Sequence, residues 1–115
     1  VMWWMGQSDD ARKALLDDQF DLTYALDAFT SWFDWTAYVW GNGAPFDNVV
    51  LSNAYKAVGF DQPWSFRNDS CYRTIKNMFP TVQAYERKGT HHNALDDAVF
   101  QAEHLIQIFK YLGTK

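Results

Sequence analysis

The chain has 115 residues, 48% of them hydrophobic and 18% aromatic, with a formal net charge of −4. That length fits one small domain with a buried core, and the aromatic content excludes disorder over most of it. The acidic balance argues against holding nucleic acid by bulk electrostatic attraction, and a single cysteine, Cys71, excludes an intrachain disulfide.

The first stretch, "VMWWMGQ", is apolar from its opening residue and has no initiator methionine, as a fragment would. Residues 8–18, "SDDARKALLDD", place Ser8 as a cap before two acids, where the helix dipole favours negative charge, and predict a short helix. In "DLTYALDAFTSWFDW" the apolar positions Leu22, Ala25, Leu26, Phe29, Trp32 and Phe33 recur at three and four, which is one face of a helix capped by Asp21. "TAYVW", residues 36–40, is β-branched and aromatic and predicts a short buried strand, and "GNGAP" then breaks the chain. "FDNVVLSNAYKAV" is helical in pattern with Gly59 as its C-cap.

"DQPWSFRN", residues 61–68, is the place for a second short strand; "DSCYRTIKNMF" resumes as a helix and stops at Pro80. "TVQAYERKGT" is a polar connection. Over residues 94–112 the positions Leu95, Ala98, Val99, Ala102, Leu105, Ile106, Phe109 and Leu112 keep helical spacing and predict the longest helix. No repeat, low-complexity segment or second domain is visible. The order of elements suggests an α/β layer arrangement. One or two strands make no stable sheet alone, so further strands lie outside this sequence or come from a partner. With no signal peptide and no apolar run of membrane-spanning length, an intracellular, cytoplasmic protein with no membrane partner is expected.

Charge is unevenly spread. Arg67, Arg73, Lys76, Arg87 and Lys88 face only Asp69 and Glu86 in the same segment, and these cations are either phosphate contacts or ordinary surface charges. Trp40 and Trp64 read as core.

Two stretches carry chemistry. In "WGNGAPFDNVVL" a strand runs into a glycine turn, where Gly41 and Gly43 permit backbone angles or close approach denied to other residues. The turn could gather Asn42, Phe46 and Asp47 at one end of the strand as an amide, a flat apolar face and a carboxylate; equally, Asp47 is an ordinary N-cap. In "GTHHNALDDA" a loop histidine precedes Asp97 in the first turn of the last helix. Asp97 falls on the apolar side and Asp96 towards water. An inward carboxylate requires a partner, and a divalent metal is one. The plain alternative is that Asn93 caps the helix and the histidines are loop residues. Two histidines and one cysteine match no structural zinc pattern.

Read together, Asn-x-x-x-Phe-Asp (Asn42, Phe46, Asp47) and His-x-Ala-x-x-Asp (His92, Ala94, Asp97) resemble the second and third signatures of the DEDDh 3′-5′ exonucleases. The blocks "WGNGAPFDNVVL", "CYRTIKNMFP" and "ERKGTHHNALDDA" are most similar to the bacterial and phage branch of 3′-5′ exoribonucleases or exodeoxyribonuclease VIII-like enzymes. The likeness extends over nearly the whole chain. It implies an α/β ribonuclease H-like (exonuclease) fold, a mixed sheet flanked by helices, here lacking the first three strands. Residues 1–115 would then be a single domain, the C-terminal two-thirds of such an exonuclease domain. The family's first signature, Asp-x-Glu, occurs nowhere in these residues.

The resemblance further implies a two-metal hydrolase, using Mg²⁺ or Mn²⁺, that releases nucleoside 5′-monophosphates from DNA or RNA. Asp97 would be a direct metal ligand, Asp47 would hold the second ion directly or through water, and Asn42 and Phe46 would bind the terminal nucleotide. His92 would be the general base, histidine being the residue type that titrates near neutral pH. His91, six residues before Asp97, does not match the spacing. The partner implied is single-stranded or 3′-end nucleic acid, with a homodimer left open. Without Asp-x-Glu two of the four carboxylates are missing, so this polypeptide alone is expected to be impaired. The competing reading is a non-catalytic nucleic-acid- or protein-binding module on a degenerate nuclease fold.

Overall fold

The computed structural model describes residues 2–14, 20–89 and 92–113. Their elements are α1 (Met2–Met5), α2 (Asp9–Ala14), α3 (Leu22–Trp32), β1 (Val39–Gly41), α4 (Ala44–Val58), a 3₁₀ turn (Phe66–Asn68), β2 (Asp69–Cys71), α5 (Tyr72–Met78) and α6 (Ala94–Gly113). They fall into two compact units, one of Phe20–Met78 and one of Val1–Gln19 with Phe79–Lys115. Among the described residues no helix is long and apolar enough to cross a membrane.

In the unit Phe20–Met78, β1 and β2 pair in parallel, Val39 opposite Asp69, Trp40 opposite Ser70 and Gly41 opposite Cys71. Parallel strands need a crossover, and α4 with the segment behind it supplies one. The first strand starts later than the composition of "TAYVW" suggests, because Asp34 takes Thr36 into a turn. Its Oδ1 accepts the Thr36 N–H at 2.9 Å and the Thr36 hydroxyl at 2.7 Å, and its carbonyl accepts the Ala37 N–H at 2.8 Å. These bonds to Thr36 also hold the Asp34 carboxyl below the usual carboxylate range.

The second strand is not within residues 61–68. Residues Phe66–Asn68 form the 3₁₀ turn, with Ser65 as a cap accepting the Arg67 N–H at 3.2 Å, and the strand takes Asp69–Cys71 from the start of the expected helix. Periodicity cannot decide so short a stretch; its partners do. Oδ1 of Asp69 accepts from Trp64 Nε1 at 2.8 Å and from Asn48 Nδ2 at 3.0 Å, and Asn48 Nδ2 also reaches the Val39 carbonyl at 3.1 Å. A buried amide on α4 therefore joins both strands.

The core of this unit is Leu26, Tyr55 and Trp64, with Phe29, Phe33, Val39, Leu51, Ala54 and Val58 packed round it. The Trp64 ring meets Tyr55 edge-on at 5.8 Å, a favourable aromatic geometry. The buried phenol is satisfied by Thr30 Oγ1 at 2.8 Å and the Leu26 carbonyl at 3.2 Å. Trp40, also expected in the core, is half-buried. Asp21 stands at the N-cap position of α3 but makes no side-chain cap bond; Gly59 ends α4 in the left-handed conformation at φ 75°.

In the other unit, Ser8 caps α2 by accepting the Ala11 N–H at 3.1 Å. Residues 15–18 of the expected first helix lie outside the described residues. Helix α6 buries His104 and Ile108. Residues 81–89 form no regular element, yet they are tied to it. The His104 Nε2 lies 2.7 Å from the Val82 carbonyl, the Gln107 amide donates to the Gln83 carbonyl at 3.2 Å, and its oxygen accepts the Tyr85 N–H at 3.3 Å.

Candidate active site

In the glycine turn, Gly41 and Gly43 have different roles. Gly43 adopts φ 100° as the N-cap of α4, a conformation that favours glycine. Gly41 is buried where a Cβ would overlap the Asn48 Oδ1 and lie 3.0 Å from the Asp47 Cβ, so its missing side chain lets α4 approach the end of β1. Gly43, not Asp47, is the cap. Asp47 stands in the first turn, its N–H donating to the Gly43 carbonyl at 3.0 Å, and its side chain is exposed where the helix dipole favours an anion.

Asn42 is half-buried, and its Oδ1 accepts from Arg73 Nε at 3.2 Å, which lays the guanidinium over Gly43. Phe46 is 71% exposed, a flat ring open to an approaching base or sugar. Asn42, Phe46 and Asp47 therefore share the turn and the first turn of α4.

Cys71, at the end of β2, faces the same turn. Its Sγ accepts the Ala44 N–H at 3.5 Å. A side-chain bond from Thr74, then the backbone N–H groups of Ala44, Thr74 and Gly43, bring its pKa down from the ordinary thiol value to about 6. A thiolate so favoured in the fold contributes stability above the unfolded thiol's pKa and loses it as pH falls through about 6. Alkylation of Cys71 by iodoacetamide is thus expected to rise with an inflection near pH 6. Thr74→Val should move that inflection up towards the free-thiol range, about 8.5; an unmoved inflection would show that Thr74 does not set it. Composition offers no signal for this group, because it depends on the meeting of two helix starts.

The stretch with His92 and Asp97 lies in the other unit. Asn93 is the helix cap, its Oδ1 accepting the Asp96 N–H at 3.1 Å, as the plain reading of that stretch has it. His92 sits in the left-handed region at φ 65°, the only described non-glycine residue with positive φ, and its ring meets Trp3 edge-on at 4.8 Å. Its N–H donates to Asp97 Oδ1 at 3.3 Å. His92 and Asp97 are thereby brought together, while His91 lies outside the described residues.

Asp97 is half-buried and needs the partner expected of it. That partner is the Arg87 guanidinium, which pairs with Asp97 Oδ1 and rests on the Phe100 ring at 4.9 Å. Arg87 carried no such role in the pattern of the sequence; only its place on the strap before the helix gives it one. Asp96, expected to point towards water, is half-buried as well, because Gly89 at φ 80° lies against its carboxylate. Within neither unit, among the described residues, do three or more His, Cys, Asp or Glu side chains gather as a metal cluster. Asp47 belongs to the unit Phe20–Met78 and Asp97 to the other.

Hard carboxylate oxygens are the donors Mg²⁺ and Mn²⁺ take, but the Asp97 carboxylate is paired with Arg87, and no three candidate ligands gather round either carboxylate among the described residues.

A family model described as the 3′-5′ exoribonuclease Rv2179c-like domain matches residues 1–109. No curated protein and no solved structure matches the chain.

Proposed function

Because this chain belongs to the Rv2179c-like 3′-5′ exoribonuclease domain family, we propose that it acts on the 3′ end of single-stranded RNA as a DEDDh-type exonuclease dependent on two metal ions. The observation that carries this reading is Asp97: a half-buried carboxylate at the start of α6, joined to the backbone of His92. Asp97 and Asp47 would hold Mg²⁺ or Mn²⁺. When bound, such ions polarise the scissile phosphate and acidify the attacking water. His92 would take the proton of that water on its imidazole, and Asn42 with the exposed Phe46 ring would hold the terminal nucleotide. The reading entails a ribonuclease H-like sheet larger than the β1–β2 pair, and the kinship with exodeoxyribonuclease VIII-like enzymes rests on the same motif blocks.

The test is a Mn²⁺ titration followed by thermal shift. A ligand that binds only the folded chain raises its melting temperature by mass action. The shift is expected for the chain and should vanish in Asp97→Asn. An equal shift in both would remove Asp97 from the site.

One observation favours a second reading, a non-catalytic RNA-binding module: Asp97 is already paired with Arg87, in a sequence without Asp-x-Glu. Such a module would retain a 3′-labelled RNA oligonucleotide intact with or without Mn²⁺. The nuclease would shorten it only with the ion.

A further inference from the structure

We infer that the outer face of α6 is the seam of a homodimer, in which two copies of that helix pack antiparallel about a two-fold axis. Such a pair needs neither a metal nor the nuclease reading.

Most of the periodic apolar face predicted for this helix is not the face it buries. Helix α6 turns His104 and Ile108 inward, while Leu95, Val99, Ile106 and Phe109 remain 70%, 48%, 54% and 48% exposed, with Ala102 open between them. These five positions alternate spacings of four and three, which is the repeat of a helix that faces a second helix. An apolar stripe about 30 Å long, exposed along one helix, marks an interaction surface.

The stripe is complementary to itself in one orientation. An antiparallel pair centred on it sets Leu95 opposite the partner's Gly113, Val99 opposite the partner's Phe109 and Ala102 opposite the partner's Ile106. Every layer then matches a bulky side chain with a smaller one, as a two-fold interface of identical patches requires. The charges agree. Along the flank of the seam Asp96, Glu103 and Lys110 follow at intervals of seven, acidic towards the start of the helix and basic at its end. Reversed copies bring unlike ends together and oppose their helix dipoles, whereas parallel copies would set Glu103 against Ala98 and Lys110 against Leu105. One like-charge contact is left, Glu103 against its own copy at the axis. Lys88 and Lys110 line the same surface hollow as Glu103 and temper it.

The experiment is sedimentation equilibrium of the chain from about 10 μM to about 1 mM, with circular dichroism to verify the fold of each variant. A single-helix seam lies at the small end of stable interfaces, so dissociation in the micromolar range, about 10–500 μM, is expected. Ile106→Glu, which would bury an unpaired charge, should weaken the dimer by about a hundredfold or more, with Val99→Glu standing in if that variant does not fold. Lys110→Glu should weaken it by about fivefold, and Glu103→Gln should tighten it by about twofold. A short bismaleimide crosslinker reads the orientation in a Cys71→Ser background. Glu103→Cys, at the axis, should join to its copy; Leu95→Cys should not, because its copy would lie about 27 Å further along the pair. A chain that stays monomeric at about 1 mM overturns the inference. So does a dimer that Ile106→Glu and Val99→Glu leave intact, which would place the contact on another surface. Crosslinking of Leu95→Cys as complete as that of Glu103→Cys would mean parallel copies and overturn the antiparallel seam.

Discussion

Asp97→Asn is expected to slow the Mn²⁺-supported release of nucleotides from a 3′-labelled RNA by at least about a thousandfold. Metal assistance to phosphoryl chemistry is worth several kcal/mol, and each 1.36 kcal/mol is about tenfold in rate. The substitution keeps the shape of the side chain and removes its charge, so the helix start capped by Asn93 should survive. Asp47→Asn should slow the reaction less, by about a hundredfold, since Asp47 is exposed and, in the proposed reading, would meet the ion directly or through water. The unaltered chain is itself expected to be slow, because no Asp-x-Glu occurs in its sequence. Single-turnover assays with protein in excess extend the measurable range. A chain that cleaves at ordinary enzyme rates, about 1–1,000 per second, would show that the missing carboxylates are not needed and that the site has been assigned to the wrong residues. A DNA strand of the same sequence, with uracil kept in place of thymine, tests the choice of RNA, since the two then differ only in the 2′-hydroxyl.

The sequence made the long elements plain and left the short ones to tertiary contacts. Helix α6 and helix α4 with Gly59 follow from apolar spacing and a glycine stop. Strand β2 does not, since three residues carry no period, and its place is fixed by Trp64 and Asn48 converging on Asp69. The glycine turn was legible in kind, but not the division of labour between Gly41, which makes room, and Gly43, which supplies the left-handed angle. At the site, Asp97 was recognisable as a carboxylate in want of a cation. That the cation is Arg87 was not, because the pair spans a strap whose course depends on Gly89 and on contacts to α6. Asn48 and His104, the two buried polar residues among those described, were also hidden in helical patterns where polar letters ordinarily mean a wet face.

Asn48 gives the second large effect. Asn48→Ala should destabilise the unit Phe20–Met78 by about 2–4 kcal/mol, out of the roughly 5–15 typical of a domain. Two bonds are lost together: one to the Val39 carbonyl at 3.1 Å and one to the Asp69 carboxylate at 3.0 Å. The second is charge-assisted, and its loss leaves Asp69 Oδ1 with Trp64 Nε1 at 2.8 Å. A falling urea midpoint at constant slope, followed by circular dichroism, is the measurement. Asn48→Asp sharpens it, because the isosteric change removes the donor and sets a second carboxylate against Asp69. The introduced carboxyl would have its folded pKa raised by burial and by its neighbour, so its penalty is full at neutral pH and fades as pH falls through that raised value. The gap in stability between this variant and the unaltered chain should therefore be narrower at about pH 5 than at about pH 7. A gap that does not change with pH would mean that the Asn48 amide does not face Asp69. The crossing of α4 over β1 and β2, and with it the placement of Asn42, Phe46 and Asp47, would then need another explanation.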